Sequence, residues 1–481
     1  MSGFRQIFSA LGPRPAIIAG AMVASTLVAQ APAFAGDEPE GGDRGVQRGV
    51  AAEVSYDSIG GDGFLGLRLK LEYAFEMPQF GCDEGVDPTC RTDLRLGLQA
   101  PLRLRVYDAE PRQDSVFRDE DWDEVSDFLR VLKTLEYGEK GGALHLHAGE
   151  LGPISLGHGT IVGDYHNVIT TDHYQMGAAG ELNTLYGGAE VLLDNIIDPG
   201  VMGARAYVYP WAFVAADSAL SRVGVGFCVA ADIQAPTELA SDADDALIVD
   251  DARNPVVLRE QSTTLIGVDL EVALVDSEQF SLIPYADFAK HTSLGSGVFA
   301  GAFLSAKLSD SYEVFSKLEY RRIGERFLPT YIGPVYEIER LQFAGWGQQL
   351  PAPKVRVAAS LSGEAAQGFY GSLGLRVRDK LTLSAAWADH EGPMNQLFHL
   401  RATARPTEKI QVGLYFHKQY FDAFSDVFDL DGALVAAESR VSVWGPFYAL
   451  GRYGRMWQIA PDGLYESVND WSLGAGASMG F

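Results

Sequence analysis

The residues of this chain that could do chemistry are its histidines and a set of regularly spaced cations. Five of the nine histidines, His145, His147, His158, His166 and His173, fall in one stretch, with Asp164 and Asp172 among them. Imidazole and carboxylate can together ligate Zn, Cu or Ni. The separations of 2, 11, 8 and 7 residues match no compact metal signature, so a hydrogen-bonded network competes with the metal reading. Ser155, His158 and Asp164 are the residue types of a nucleophilic triad, but a triad is defined by geometry and not by nearness in sequence. No G-x-S-x-G elbow, H-E-x-x-H pair, P-loop or dinucleotide fingerprint is present, so neither an enzyme nor a cofactor is expected. A second set, Arg68 and Lys70 in one segment and Arg95, Arg103 and Arg105 in another, sits at even spacings within each segment. A third, Arg326, Glu337, Glu339 and Arg340, lies in a segment rich in proline and aromatic rings.

The even spacing identifies the elements that carry these groups. A strand sends alternate side chains to opposite faces. From Asp93 to Tyr107, Leu94, Leu96, Leu98, Ala100, Leu102, Leu104 and Val106 form one face, and Arg95, Gly97, Gln99, Pro101, Arg103, Arg105 and Tyr107 the other. Leu65, Leu67, Leu69 and Leu71 alternate with Arg68 and Lys70 in the same way, and His145 and His147 alternate with Leu144, Leu146 and Ala148. The rhythm recurs in 201–211, 265–274, 299–308, 312–321, 369–378 and 397–404, with turns such as Ser309-Asp310 between segments. No segment after the N-terminal leader is long and apolar enough for a membrane helix. Alternating segments of about ten residues, with tight turns at one end and long loops at the other, are the signature of a transmembrane barrel. The fold expected is therefore all-β: a transmembrane antiparallel β-barrel of about 16–20 strands, with one amphipathic helix and inward-folded loops.

The two ends of the chain agree with that reading. Arg5 and Arg14, the uncharged run from Ala16 to Val28 and Ala33-Phe34-Ala35 form a secretory signal over residues 1–35. Residues 36–48 then make a short periplasmic segment, and 49–481 the barrel. Trp471, Leu473, Ala475, Ala477, Met479 and Phe481 alternate with small residues. This resembles the closing strand of bacterial outer-membrane barrels, which implies that Trp471, Met479 and the terminal Phe481 form the signal read by the insertion machinery. In an exported protein Cys82 and Cys90 read as a local disulfide, and Cys228 as a lone packed thiol.

Three segments interrupt the alternation. Residues 108–142 form an insertion in which Trp122, Val125, Phe128, Leu129, Leu132 and Leu135 recur at helical spacing, predicting an amphipathic helix from Asp119 to Tyr137. Residues 150–181 carry Gly157, Gly159 and Gly163, which favour a folded loop directed into the lumen. Residues 232–260 form an acidic loop whose Asp242, Asp244, Asp245, Asp250 and Asp251 have the chemistry for weak Ca²⁺ binding but no EF-hand spacing. The net charge of −26 excludes a nucleic-acid partner.

The Leu156-Gly157-His158-Gly159 loop, the Asp164-Tyr165-His166-Asn167 run after it, and Phe327-Leu328-Pro329-Thr330-Tyr331 leading to Tyr336-Glu337-Ile338-Glu339-Arg340 resemble segments of uncharacterised, porin-like outer-membrane barrels of Gram-negative bacteria. The resemblance covers about the middle third of the chain. It implies an outer-membrane barrel and no particular substrate. Two functions fit. The first is a channel for passive diffusion of small solutes or ions, with Arg68, Lys70, Arg95, Arg103 and Arg105 facing loop acids across the lumen. The second is a plugged barrel acting as a surface anchor or assembly protein through its acidic loops. Lipid and the insertion machinery are the expected partners in both, and the oligomeric state is not legible.

Overall fold

The computed structural model describes residues 48–81, 90–109, 115–118, 121–122, 128–168, 175–242, 247–249, 255–342, 352–361, 365–392, 395–459 and 465–480. Among them are twenty strands that close into one antiparallel barrel. In chain order they are β1 (Gly49–Ile59), β2 (Asp62–Pro78), β3 (Arg91–Tyr107), β4 (Leu132–Tyr137), β5 (Leu144–Gly149), β6 (Gly177–Thr184), β7 (Gly187–Leu193), β8 (Val201–Val208), β9 (Val223–Leu239) and β10 (Val257–Val272). There follow β11 (Phe280–His291), β12 (Ser296–Ser309), β13 (Tyr312–Ile323), β14 (Ala366–Val377), β15 (Leu381–His390), β16 (Gln396–Thr407), β17 (Ile410–Phe421), β18 (Leu434–Trp444), β19 (Phe447–Ile459) and β20 (Tyr465–Gly480). A two-residue bridge, Val275–Asp276, belongs to the β10–β11 turn. Each strand pairs with its chain neighbours, and β1 pairs with β20 from Gly49↔Gly480 to Ser58↔Trp471, so no sheet edge is left open.

Period two decides what each face meets. Val50, Val54 and Tyr56 of β1, Leu65, Leu67 and Leu69 of β2, and Leu318 and Leu373 farther round are exposed on the outer wall. Glu53, Ser55 and Asp57 of β1 and Gln99 and Arg103 of β3 are buried inside. An apolar exterior around a polar interior is the pattern of a barrel whose solvent is lipid. Short connections, such as 310–311, 408–409 and 445–446, lie at one rim. The long ones, between β3 and β4, β5 and β6, β9 and β10, and β13 and β14, leave from and return to the other.

The principal apolar core sits within the barrel and is built from inserted loops. Leu151, Leu156, Ile161, Val162 and Tyr165 pack with Phe327, Tyr331, Ile332 and Tyr336, and against the inward-facing Val201, Leu265 and Phe299 of the wall. Two short helices, α1 (Tyr336–Gln342) and α2 (Lys354–Ser360), follow in the second loop.

Three sequence expectations change. Leu132–Tyr137, expected to end the helix, is β4 and pairs with β3 and β5. Leu132 and Leu135 satisfy a helical period, but Thr134 and Glu136 face the lumen groups of β5, and cross-strand pairing prevails over the local period. Phe128 and Leu129 are helical, while 123–127 lie outside the described residues. The acidic loop shrinks from 232–260 to 240–256, because β9 runs on to Leu239 and β10 begins at Val257. The inserted loop ends at 176, where β6 begins at Gly177. The signal region 1–35, residues 36–47, Cys82, Asp172, His173, Asp244, Asp245, Asp250, Asp251 and Phe481 lie outside the described residues.

Candidate functional site

The cationic face read from the sequence lines the lumen, and its partners come from the neighbouring strand and an insertion. Arg68 and Lys70 of β2 both reach Glu53 of β1, at 3.1 and 3.0 Å, and Arg452 of β19 reaches the same carboxylate at 3.2 Å. Arg103 bridges Asp57 of β1 (3.2 Å) and Asp121 of the 108–131 insertion (2.7 Å). Asp121 is fully buried and also takes Arg118 at 2.8 Å and Arg130 at 3.2 Å. Burial works against its charge, but the three guanidinium groups hold its carboxyl below the ordinary carboxylate range. Arg105 pairs with Asp62 and Arg95 with Glu136, which also accepts from His145 at 2.8 Å. His147 meets Thr134 on the same wall.

Two loops enter from the long-loop rim and hold one another. The Val162–Ile332 pairing is parallel, with Gly163 donating to the Ile332 carbonyl (3.0 Å) and Ile332 to that of Ile161 (3.1 Å). The first loop is pinned to the wall by His158. Its ring meets Asp287 of β11 at 2.7 Å and Glu271 of β10 at 3.1 Å, stacks on Tyr285, and its carbonyl accepts from Lys317 of β13. Burial opposes the imidazolium, but the two carboxylates outweigh it and hold its pKa up to about 10. Next to it Gly157 has φ 56, and a β-carbon there would stand 2.8 Å from the Arg205 side chain. Only glycine fits this turn so close to the Arg205–Asp269 pair.

The second loop is pinned by Arg340, which pairs with Asp232 of β9 at 2.9 Å and with Glu337 at 3.6 Å. Tyr336 donates to Asp232 at 2.8 Å, Tyr165 donates to Glu337, and Lys354 pairs with Glu339. Asp194, between β7 and β8, is pushed up to about 7 by burial and the neighbouring Glu337 carboxylate. Asp232 was expected on the acidic loop at the surface. It is instead a fully buried anchor, because β9 carries it into the lumen.

The loops fill one side of the lumen and leave a cavity of about 570 Å³ between themselves and β13–β17. Lys317, Arg321, Tyr370, His390, His399 and His417 line it from the wall, and Asp164, Arg326 and Glu339 from the loops. Lys317 and Arg321 share Glu319, at 3.3 and 2.6 Å. Beyond the cavity, His166 approaches Arg401.

The expected residues thus divide into separate groups. His145 and His147 stand on the wall with β4, His158 is enclosed by carboxylates, and His166 lies by Arg401, so these histidines share no metal site. Among the described residues no three His, Cys, Asp or Glu side chains could hold a metal ion. Ser155 accepts from the Asp164 backbone, while both His158 ring nitrogens are taken by carboxylates, so no imidazole addresses the serine. Arg326 does not join Glu337, Glu339 and Arg340. It is half exposed beside Glu325. Trp471 packs on Tyr56 at the outer face, and Met479 is exposed there. Cys90 is disulfide-bonded, and Cys228 is free and buried. Sequence reasoning passed over Glu53, Glu271, Asp287, Lys317, Glu319, Arg321, His399, Arg401 and His417, and read Asp121 only as a helix cap. For several, the signal was the same alternation: Lys317, Glu319 and Arg321, or His399 and Arg401, fall on one strand face.

No protein-family model matches this chain, and no curated protein matches it. Solved structures align along most of its length, but loosely. OccK11 (OpdR) of Pseudomonas aeruginosa aligns at 10% identity and TM-score 0.32, over 92% of this chain and 98% of that one. The outer membrane protein opdK of the same organism aligns at 9% and 0.34, over 91% and 99%. A mutant of its ferric enterobactin receptor PfeA aligns at 9% and 0.33, over 91% and 81%. Scores this low carry no argument about what the barrel does, and a receptor scores as well as the others. The closed even-stranded wall, apolar outside and polar within, is itself the architecture of a bacterial outer-membrane β-barrel.

Proposed function

We propose that this protein is a restricted, porin-like channel for passive diffusion of small polar solutes or ions across the outer membrane of a Gram-negative bacterium. The supporting observation is the cavity of about 570 Å³ beside the inserted loops, with Lys317, Arg321 and imidazoles on the wall and both acids (Asp164, Glu339) and cations (Arg326, Lys354) on the loops. Opposed charges across a constriction orient polar solutes and set ion preference. A twenty-strand wall is too wide for its own side chains to fill, so the loops decide how much passage remains.

A second reading, a plugged barrel serving as a surface anchor or assembly protein, has one observation in its favour. The loops are held by an apolar cluster and by buried ion pairs, which is firmer than a loop merely resting in a pore. In either case the terminal strand is the segment offered to the insertion machinery. Planar-bilayer recording of refolded protein separates the two readings. Stepwise conductance that increases when residues 152–166 are replaced by a short Gly-Ser linker supports the channel. Silence from a barrel whose heat-modifiable gel mobility shows it folded supports the anchor.

A further inference from the structure

Most buried lumen cations have an acid within reach: Arg103 has Asp57 and Asp121, Arg205 has Asp269, Arg321 has Glu319, and Arg340 has Asp232. Arg401 of β16 does not. It is 3% exposed, and among the described residues it forms no ion pair. Asp164 acts on it through space without touching it. Its guanidinium lies 3.5 Å from His166 Nε2 and over the Tyr415 ring, and its Nε has no hydrogen-bond partner.

The neighbouring side chains are also short of partners. His399, one inward position along β16, pairs in register with His417 of β17, as Arg401 does with Tyr415. His417 is 1% exposed; its ring lies by the Gln419 side chain, but neither ring nitrogen makes a hydrogen bond of normal geometry. Both imidazoles line the cavity, and Arg401 lies just beyond them. A buried cation and unsatisfied buried polar atoms are costly to a fold unless something answers them. The complement to this set is an anion that accepts hydrogen bonds.

The geometry narrows the class. A carboxylate is planar and matches a guanidinium edge with two parallel bonds. Here one edge of Arg401 is turned to His166, and the other donors come from two strands. The His399 and His417 rings stand 5.9 Å apart at 88°. Polar groups on two strands, with ring planes at right angles, suit a tetrahedral acceptor better than a planar one. We propose that Arg401, His399 and His417, closed over by His166, bind a phosphate-type oxyanion, either inorganic phosphate or the phosphoryl group of a small organic solute. Delivery of the solute through the lumen rests on the channel reading, whereas binding does not require conduction.

The test is calorimetric titration of the folded full-length protein in detergent with inorganic phosphate, glycerol 3-phosphate and acetate, alongside R401Q and H417F, with folding checked by heat-modifiable mobility. The expected result is saturable phosphate binding at least tenfold tighter than acetate binding. R401Q should weaken it at least tenfold and H417F severalfold. Glycerol 3-phosphate binding as tightly as phosphate would identify organic phosphoryl solutes, and phosphate alone would identify the free ion. Acetate binding as tightly as phosphate, no binding of either phosphate compound, or undiminished affinity in a folded variant would overturn the site. Conductance, measured separately, distinguishes the failures. A barrel that binds phosphate without conducting contradicts the channel and leaves the site standing, and one that conducts without binding phosphate does the reverse.

Discussion

At the residue scale, the inserted loops depend on a few ionised anchors. His158 is held charged by Asp287 and Glu271, so its proton is linked to docking of the first loop. Its pKa is raised from 6.5 to about 10. The sign follows: its contribution to docking is full below 6.5, declines as pH rises, and is gone above about 10. Hydrogen exchange across 151–167 should therefore be faster at pH 10 than at pH 7 after correction for intrinsic rates. H158Q should remove that difference, and an unchanged difference in H158Q would show that another group is responsible. Asp232 is the corresponding anchor of the second loop. D232N leaves Arg340 with Glu337 as its paired acid and the Gln234 carbonyl as an acceptor, and breaking a buried pair costs roughly 3–5 kcal/mol. Limited proteolysis should then cut 324–342 faster while the barrel keeps its heat-modifiable mobility.

At the element scale, the two loops act as one inserted unit because their backbones pair and their apolar side chains share a cluster. Ile332 is fully buried in it. I332A should cost about 2–5 kcal/mol of docking free energy. It should raise exchange in both 151–167 and 327–340, and faster exchange in one loop alone would contradict the joint unit. How legible these elements were depended on the origin of the signal. Lipid on one side and water on the other force alternation, so β2 and β3 could be read from Leu65–Leu71 and Leu94–Val106. The glycines at 157, 159 and 163 announced a folded loop. β4 was misread because six residues carry too little alternation to outweigh a helical period running into them. The partners of the anchors were not legible: His158 meets residues 113 and 129 positions away, and only closure of the barrel brings them together.

At the scale of the whole molecule, closure removes every sheet edge and leaves the lumen as the one place where polar groups from distant strands must answer one another. Asp57, Arg103 and Asp121 do so on one side, and Asp232 with Arg340 on the other. The Arg401 cluster is where the answering is incomplete. The barrel's size and its apolar belt followed from composition and rhythm. The division of the lumen into a filled side and a cavity did not, because it depends on which loops turn inward. The central claim is that this remaining space conducts. Single-channel recording of the refolded wild-type protein in a planar bilayer, with reversal potentials under a salt gradient, tests it most directly. The account predicts discrete openings, smaller than those of the 152–166 replacement and carrying a measurable ion preference. A folded wild-type barrel that stays silent would contradict it, whether or not replacing the loop opens a current.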